Sequence, residues 1–235
     1  MTTLQERLRA VQTRMAQACA QAGRAPAAVQ LLAVSKLQPA QAVREALAQG
    51  QSAFGENYVQ EALDKMAALA DLRPAVEWHL IGPLQSNKTR AVAEAFDWVH
   101  SVDRLKIAQR LSDQRPTHLP ALNICLQVNI SGEPSKSGLL PAEVAEIAPA
   151  VAALPRLHLR GLMAIPEPLH GLEAQRAPHR ALRLLQDDLN RQGLALDTLS
   201  MGMSDDLEAA IAEGSTLVRV GTAVFGPRAA PTAGV

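Results

Sequence analysis

Short apolar, β-branched runs alternate along this chain with longer segments whose apolar positions recur every three or four residues. The first pattern marks buried strands and the second amphipathic helices. The chain opens on a helical pattern over residues 1–23, with Leu4, Leu8, Val11 and Met15 on one face and Gly23 as its stop. Strands are then predicted at 29–35, 52–57, 76–82, 97–102, 122–130, 157–165, 196–202 and 216–221. The helical patterns between them cover 40–50, 58–72, 85–96, a stretch from Asp103 as N-cap, 141–154, 172–192 and 204–214, the last capped by Ser204. Pro39 opens the 40–50 helix and Gly50 closes it. Eight β-then-α units predict a parallel sheet with right-handed crossovers. The expected fold is α/β, a single (β/α)8 TIM-type barrel over 1–235 with an extra N-terminal helix and a flexible tail at 226–235. A doubly wound open sheet is the alternative, and the placement of polar residues favours the barrel.

In a barrel the active site lies at the carboxyl ends of the strands. Lys36 follows the first strand, Glu56 and Asn57 the second, Asn129 and Ser131 the fifth, and Ser200 and Ser204 the seventh; Arg219, Gly221 and Thr222 close the eighth. His79 lies within the third strand and Gly82 at its end. Phosphate sites in such barrels are often built from the loops after strands seven and eight. "SMGMSDD" offers Gly202 for close backbone approach and Ser204 at a helix start, and "RVGTAVFG" offers Gly221 and the Thr222 hydroxyl. Each could be only a turn or a cap, but jointly they predict a phosphate grip. A phosphate grip facing a strand-end lysine suggests pyridoxal 5′-phosphate, whose aldehyde condenses with the Lys36 amine as a Schiff base. Arg219 has the character to face a pyridine nitrogen, which would weaken the ring as an electron sink.

Composition removes other classes. The chain is 48% hydrophobic with 23 basic and 23 acidic residues, so nothing points to nucleic acid or a membrane surface as partner. Its five lysines stand against eighteen arginines, which draws attention to each lysine. Cys19 and Cys125 have no metal spacing and read as buried hydrophobes; the six histidines form no HxxxH or HxH pair, so no metal is expected. No membrane-length apolar run or signal-peptide core occurs, and a cytoplasmic location is expected. "SGEPSKSG" at 131–138 fails as a P-loop because position 137 is Ser137, although Lys136 could touch an anion there. Glu56 reads as a salt-bridge partner ahead of a general base, His79 as a core histidine ahead of a ligand, and Lys88 as the start of a helical turn.

"AVSKLQP", "FGENYVQE", "WHLIGPLQSNK", "GLMAIP", "SMGMSDDLEAAIAEGST" and "VRVGTAVFG" together resemble the pyridoxal phosphate homeostasis proteins, in order and over nearly the whole chain. The resemblance implies a barrel like the N-terminal domain of alanine racemase. It implies that Lys36 carries the cofactor, that Arg219 faces the pyridine nitrogen, that Ser204, Gly221 and Thr222 hold the phosphate, and that Asn57 lies in the pocket. Ser200, Gly202 and His79 are further cofactor-binding candidates. It also implies a role in vitamin B6 balance without an established catalytic activity. "FGPRAAPTAGV" departs from the pattern by lacking a tyrosine that often follows there.

Two function classes follow: a protein that stores, delivers or buffers the cofactor, with apo-enzymes as recipients, or an amino-acid racemase with weak activity. Racemisation needs an acid or base on each face of the α-carbon. The related racemases take the second from a tyrosine of a separate domain, and here the only tyrosine is Tyr58, at a helix start. A binding protein, monomeric, is therefore expected. A barrel binding another phosphorylated metabolite non-covalently is the third possibility.

Overall fold

The computed structural model describes residues 2–133 and 137–227. Eight strands close into one parallel barrel in sequential order: β1 (Gln30–Val34), β2 (Ala53–Glu56), β3 (Glu77–Leu80), β4 (Trp98–Val102), β5 (Leu122–Val128), β6 (Leu157–Ala164), β7 (Thr198–Ser200) and β8 (Leu217–Val220), with β8 returning to β1. Helices α1 (Leu4–Gln21), α2 (Ala40–Ala48), α3 (Val59–Ala68), α4 (Thr89–Ala95), α5 (Leu105–Gln114), α6 (Pro141–Ala152), α7 (Leu172–Arg191) and α8 (Leu207–Ala212) accompany the strands, and a four-residue turn of helix, α9 (Thr222–Phe225), follows β8. The barrel expected from the alternating pattern is thus observed, and the open sheet is not.

Closure gives every strand two environments. Residues of one parity face the surrounding helices and form the main apolar core: Leu31 and Ala33, Phe54, Trp78 and Leu80, Val99, Ile124 and Leu126, Leu162, Leu199, and Val218 and Val220. The opposite parity fills the barrel interior, with Leu32, Ala53 and Leu217 in one cluster and Trp98, Cys125 and Met163 in another. Polar His79, His100, Ser200 and Arg219 share this interior parity and are buried. Both cysteines are free and buried, and burial pushes the Cys125 thiol up to about 12.

Several local expectations shift. Ser204 does not cap α8, which begins at Leu207. The intervening residues form a turn in which the Asp206 carboxylate accepts the Met203 N–H at 2.6 Å and contacts His179 Nε2 at 3.0 Å. Asp103 does not cap α5 either: the N-cap position is Arg104, and Asp103 pairs with its guanidinium at 2.8 Å. The predicted 58–72 helix gives way to a 3₁₀ segment, Ala70–Ala75, after α3, and the predicted 85–96 helix starts with one, Ser86–Lys88, before α4. The predicted tail lies outside the described residues except for Gly226 and Pro227, as does Lys136.

β6 carries an irregularity that the hydrophobic pattern does not announce. Ile124 pairs with Leu159 but Cys125 with Gly161, so Arg160 is an extra residue opposite β5. On its other side Gly161 presses against β7: a Cβ there would lie 1.8 Å from the Thr198 carbonyl oxygen. That oxygen and its carbonyl carbon, at 2.7 Å, are backbone of a paired strand and cannot yield. Gly161→Ala is expected to cost roughly 3 kcal/mol or more, at the upper end of overpacking effects, measured by urea unfolding. A loss below about 1 kcal/mol would show that the two strands are free to separate.

Candidate functional site

The carboxyl ends of the strands surround a cavity of about 520 Å³. Its lining includes Lys36 after β1, Asn57 after β2, Ser204 and Asp205 after β7, and Arg219, Gly221 and Thr222 from β8 and its end. Val34, Ile81, Ile165 and Met203 add apolar wall. The six main sequence candidates therefore meet in one place. The period of two explains why: Lys36 continues the inward parity of Leu32 and Val34, and Asn57 that of Ala53 and Gly55. A smaller adjoining space of about 300 Å³ shares Asn57, Ile81 and Ile165 and reaches Asn129.

Three further candidates do not line the cavity. Ser200 is buried below it and accepts from Arg219 Nη1 at 2.8 Å. His79 lies deeper in the barrel, 2.9 Å from His100. Gly202 does its work through the backbone: with φ 94° and its carbonyl accepting from the Arg219 N–H at 2.9 Å, it turns the chain so that Ser204 reaches the rim. A side chain at this position would meet Ala210 at 2.5 Å.

Lys36 is half-buried at the end of β1, between two residues whose backbones are fixed. The Ser35 hydroxyl donates to Glu56 Oε1 at 2.6 Å, and the Ser35 carbonyl accepts from Lys65 Nζ at 2.7 Å. Lys65 also reaches Glu56 at 2.5 Å and Glu61 at 3.1 Å, and Glu61 accepts the Leu37 N–H at 2.6 Å. Leu37 is left-handed at φ 59°, a costly conformation for a branched side chain, held by those contacts. Glu56 has the outward parity, opposite to Asn57, so it serves this clamp on the helix side of the sheet. Burial pushes its carboxyl above the ordinary range, with Lys65 and Ser35 opposing. The buried Lys65 was not a sequence candidate. Its signal is the i, i+4 pairing with Glu61 together with its place on the buried face of α3.

Arg219 is 4% exposed. Its guanidinium donates to the Ser200 carbonyl at 2.5 Å, the Ser200 hydroxyl at 2.8 Å and the Ala164 carbonyl at 2.8 Å. Burial draws its pKa down to about 10, which still leaves it cationic at neutral pH. Asn57 contributes a buried Oδ1 with no hydrogen-bond partner, an acceptor left over inside the fold. Its backbone is pinned by Gly82, where even a Cβ would fall 2.2 Å from the Asn57 carbonyl oxygen. Tyr58, next in sequence, is 55% exposed and is not among the cavity-lining residues.

The N-terminal helix braces the segments after β7 and β8 that line one side of the cavity. Arg14 pairs with Glu208 and donates to the Ser204 carbonyl at 2.6 Å. Arg7 donates to the Val224 and Phe225 carbonyls at 2.9 and 3.1 Å, at the end of α9.

Residues 7–229 match the family described as alanine racemase, N-terminal domain. The chain is 63% identical over 228 residues to the pyridoxal phosphate homeostasis protein of Pseudomonas aeruginosa, covering 97% of each, and 53% identical over 229 residues to that of Escherichia coli K12, covering 97% of this chain and 98% of that one. Among solved structures it is similar to PipY of Synechococcus elongatus solved with PLP bound, at 40% identity and a TM-score of 0.83 over 95% of this chain and 100% of that one. Alanine racemase from Corynebacterium glutamicum shares the fold, with a TM-score of 0.67 at 20% identity over 97% of this chain and 63% of that one. The chain belongs to the alanine racemase N-terminal domain family and groups within it with the pyridoxal phosphate homeostasis proteins.

The clamp beside Lys36 makes a prediction of its own. Lys65→Met leaves Glu56 buried without its cation and is expected to cost about 3–5 kcal/mol near neutral pH. Glu56 can escape the penalty by taking up a proton, since its native pKa is already raised. The penalty therefore appears as pH rises through that pKa and fades below it. Urea unfolding at about pH 5 and pH 8 is expected to show the larger loss at pH 8; equal losses would rule out a charge origin.

Proposed function

We propose that this member of the family binds pyridoxal 5′-phosphate in the barrel-mouth cavity as a Schiff base on Lys36, and that it serves vitamin B6 homeostasis by holding and releasing the cofactor. The observation that carries this reading is the convergence of Lys36, Asn57, Ser204, Arg219, Gly221 and Thr222 on one cavity of suitable size. The named homeostasis proteins and PipY with PLP bound support it.

Each residue has a role that its chemistry allows. Lys36 would hold the cofactor through its amine in the unprotonated form, the aldehyde oxygen leaving as water. Ser204 and Thr222 offer hydroxyls to the phosphate, and Gly221 offers backbone without a side chain in the way. Asn57 offers its unpaired Oδ1 to a ring substituent that donates. Arg219 faces the ring nitrogen as a fixed cation. When bound, the cofactor supplies an electron sink, and a cation at its nitrogen keeps that sink weak.

The weak sink and the lack of a tyrosine lining the cavity favour holding the cofactor over turning it through a racemase cycle. Leu37, Tyr58, Ile165 and Met203 are exposed apolar side chains that each follow the carboxyl end of a strand. They give the cavity mouth a face that an apo-enzyme acceptor can meet. In this reading the protein acts as a monomer in the cytoplasm.

Adding pyridoxal 5′-phosphate is expected to raise a visible Schiff-base band that Lys36→Ala abolishes, with borohydride fixing the cofactor on the peptide containing Lys36. A wild type without a band, or trapping at another lysine, refutes the assignment. Ser204→Ala and Thr222→Val are each expected to weaken binding about 5–30-fold, the equivalent of roughly 1–2 kcal/mol for a hydrogen bond to a charged group. The loaded protein incubated with a single-enantiomer amino acid is expected to yield no mirror form at enzyme rates; turnover near ~1 s⁻¹ or above would establish a racemase instead.

A further inference from the structure

Below the cavity the barrel interior holds a column of polar side chains that cofactor binding does not explain. Arg219 Nη1 donates to Ser200 Oγ at 2.8 Å. Ser200 Oγ lies 2.8 Å from His100 Nδ1, His100 Nε2 lies 2.9 Å from His79 Nδ1, and His79 Nε2 lies 2.5 Å from Glu77 Oε1. Four hydrogen bonds thus join the cavity wall to Glu77, the first residue of β3, at the opposite end of the barrel. His79, His100 and Ser200 are fully buried, while Glu77 is half-exposed.

The direction of every bond is fixed from both ends. A carboxylate only accepts, so His79 Nε2 carries a proton toward Glu77. A neutral imidazole has one N–H, which leaves His79 Nδ1 bare and obliges His100 to donate through Nε2. That leaves His100 Nδ1 bare, so it accepts the Ser200 hydroxyl proton. From the other end, a guanidinium only donates, and Ser200 Oγ, occupied by Arg219 as acceptor, has its own proton to pass to His100. The two constraints meet without conflict.

We infer that Glu77, His79, His100 and Ser200 are positioning residues, a one-way hydrogen-bond chain that orients Arg219 and supplies it with a counter-charge from the far end of the barrel. Burial keeps both histidines neutral, holding His79 below and His100 well below the ordinary imidazole range, while the His79 contact holds Glu77 below the usual carboxylate range. The groups around the lower end agree with a fixed anion there. Arg160 lies 5.0 Å over the Trp98 ring, which stacks on His79 at 5.3 Å, and Arg160 is itself paired with Asp197 at 2.6 Å. Asp97 is engaged by Arg73 at 2.8 Å.

The arrangement solves a chemical problem of the proposed site, and in this respect it rests on the cofactor reading. A carboxylate salt-bridged to Arg219 at the cavity would neutralise it but would also place an acid beside the ring nitrogen. The chain puts the Glu77 carboxylate four hydrogen bonds away, and Arg219 itself bonds to two carbonyls and a hydroxyl, with Asp206 acting on it through space only.

The test needs no cofactor in its first arm. Imidazole and guanidinium 15N spectra of the cofactor-free protein are expected to show His79 and His100 neutral with Nε2 protonated. Glu77→Gln is expected to move the His100 and Arg219 signals, although neither residue touches Glu77. In a Ser200→Ala background, Glu77→Gln is expected to leave Arg219 unmoved, because the chain is cut. A His100 proton on Nδ1, or Arg219 signals indifferent to Glu77→Gln in a variant that retains wild-type circular dichroism, overturns the inference. In the second arm, Glu77→Gln and Ser200→Ala are each expected to shift the visible band of bound pyridoxal 5′-phosphate and to weaken binding 3–10-fold; unchanged bands and affinities overturn the counter-charge role. If wild type takes up no cofactor, the site reading fails and the nitrogen spectra alone decide the chain.

Discussion

A guanidinium inside a closed barrel is the constraint from which most of this structure can be understood. Removing a charge from water is costly unless polar groups replace the lost solvent. Arg219 answers with two carbonyls and a hydroxyl in place of a carboxylate. That choice recruits Ser200 and through it the two histidines, which occupy space that an apolar barrel interior would give to Val or Leu. It also requires Ala164 and Ser200 to present their carbonyls inward where β6 and β7 end. The Arg160 irregularity and the tight Gly161–Thr198 approach lie just below that point on the same strands.

Parity along the strands then divides labour at the cavity. Glu56 and Asn57 are neighbours in sequence, yet one faces the helices and the other the barrel mouth. The outward Glu56 joins Lys65 and Glu61 in a clamp on the backbone around Lys36, and the inward Asn57 contributes an acceptor to the cavity. The clamp explains how Leu37 tolerates a left-handed backbone, whose strain of order 1–3 kcal/mol must be offset by surrounding contacts. The clamp thus fixes the backbone on both flanks of Lys36.

The sequence made the barrel and the gathering of the cavity residues legible because both are properties of spacing. Alternation and helical periodicity gave all eight strands, and strand-end position gathered a longer set from which the loop motifs and the family resemblance singled out Lys36, Asn57, Ser204, Arg219, Gly221 and Thr222. What was not legible depends on partners distant along the chain. Ser204 reads as an N-cap from local grammar, but Asp206 takes over the turn with help from His179 on α7, and Ser204 is freed for the rim. His100 gives no signal in "DWVHSV", because its neighbours in the column come from β3 and β7. Lys65 reads as an ordinary helical lysine until the barrel brings Ser35 and Glu56 to it. Ser200 and His79 were selected for their position, and the structure gives them a different task, below the cavity instead of around it.

The extra helix at the start of the chain follows from the same logic. Barrel closure joins β8 to β1, and the Gly202–Arg219 backbone bond ties the start of the loop after β7 to β8, but the rest of that loop, with Ser204, and the short α9, with Thr222, lie beyond that bond. Helix α1 spans them with two arginines seven residues apart and so on one face, each donating to backbone carbonyls of one segment. Bonds to carbonyls hold the backbone itself and leave the Ser204 and Thr222 side chains to the cavity they line. Leu8, Val11 and Met15 bury the intervening face of α1, so the arginines extend from a packed helix and lose less freedom on docking than they would from a loop. A site made from two loops thereby gains rigidity from an element outside the eight-fold repeat.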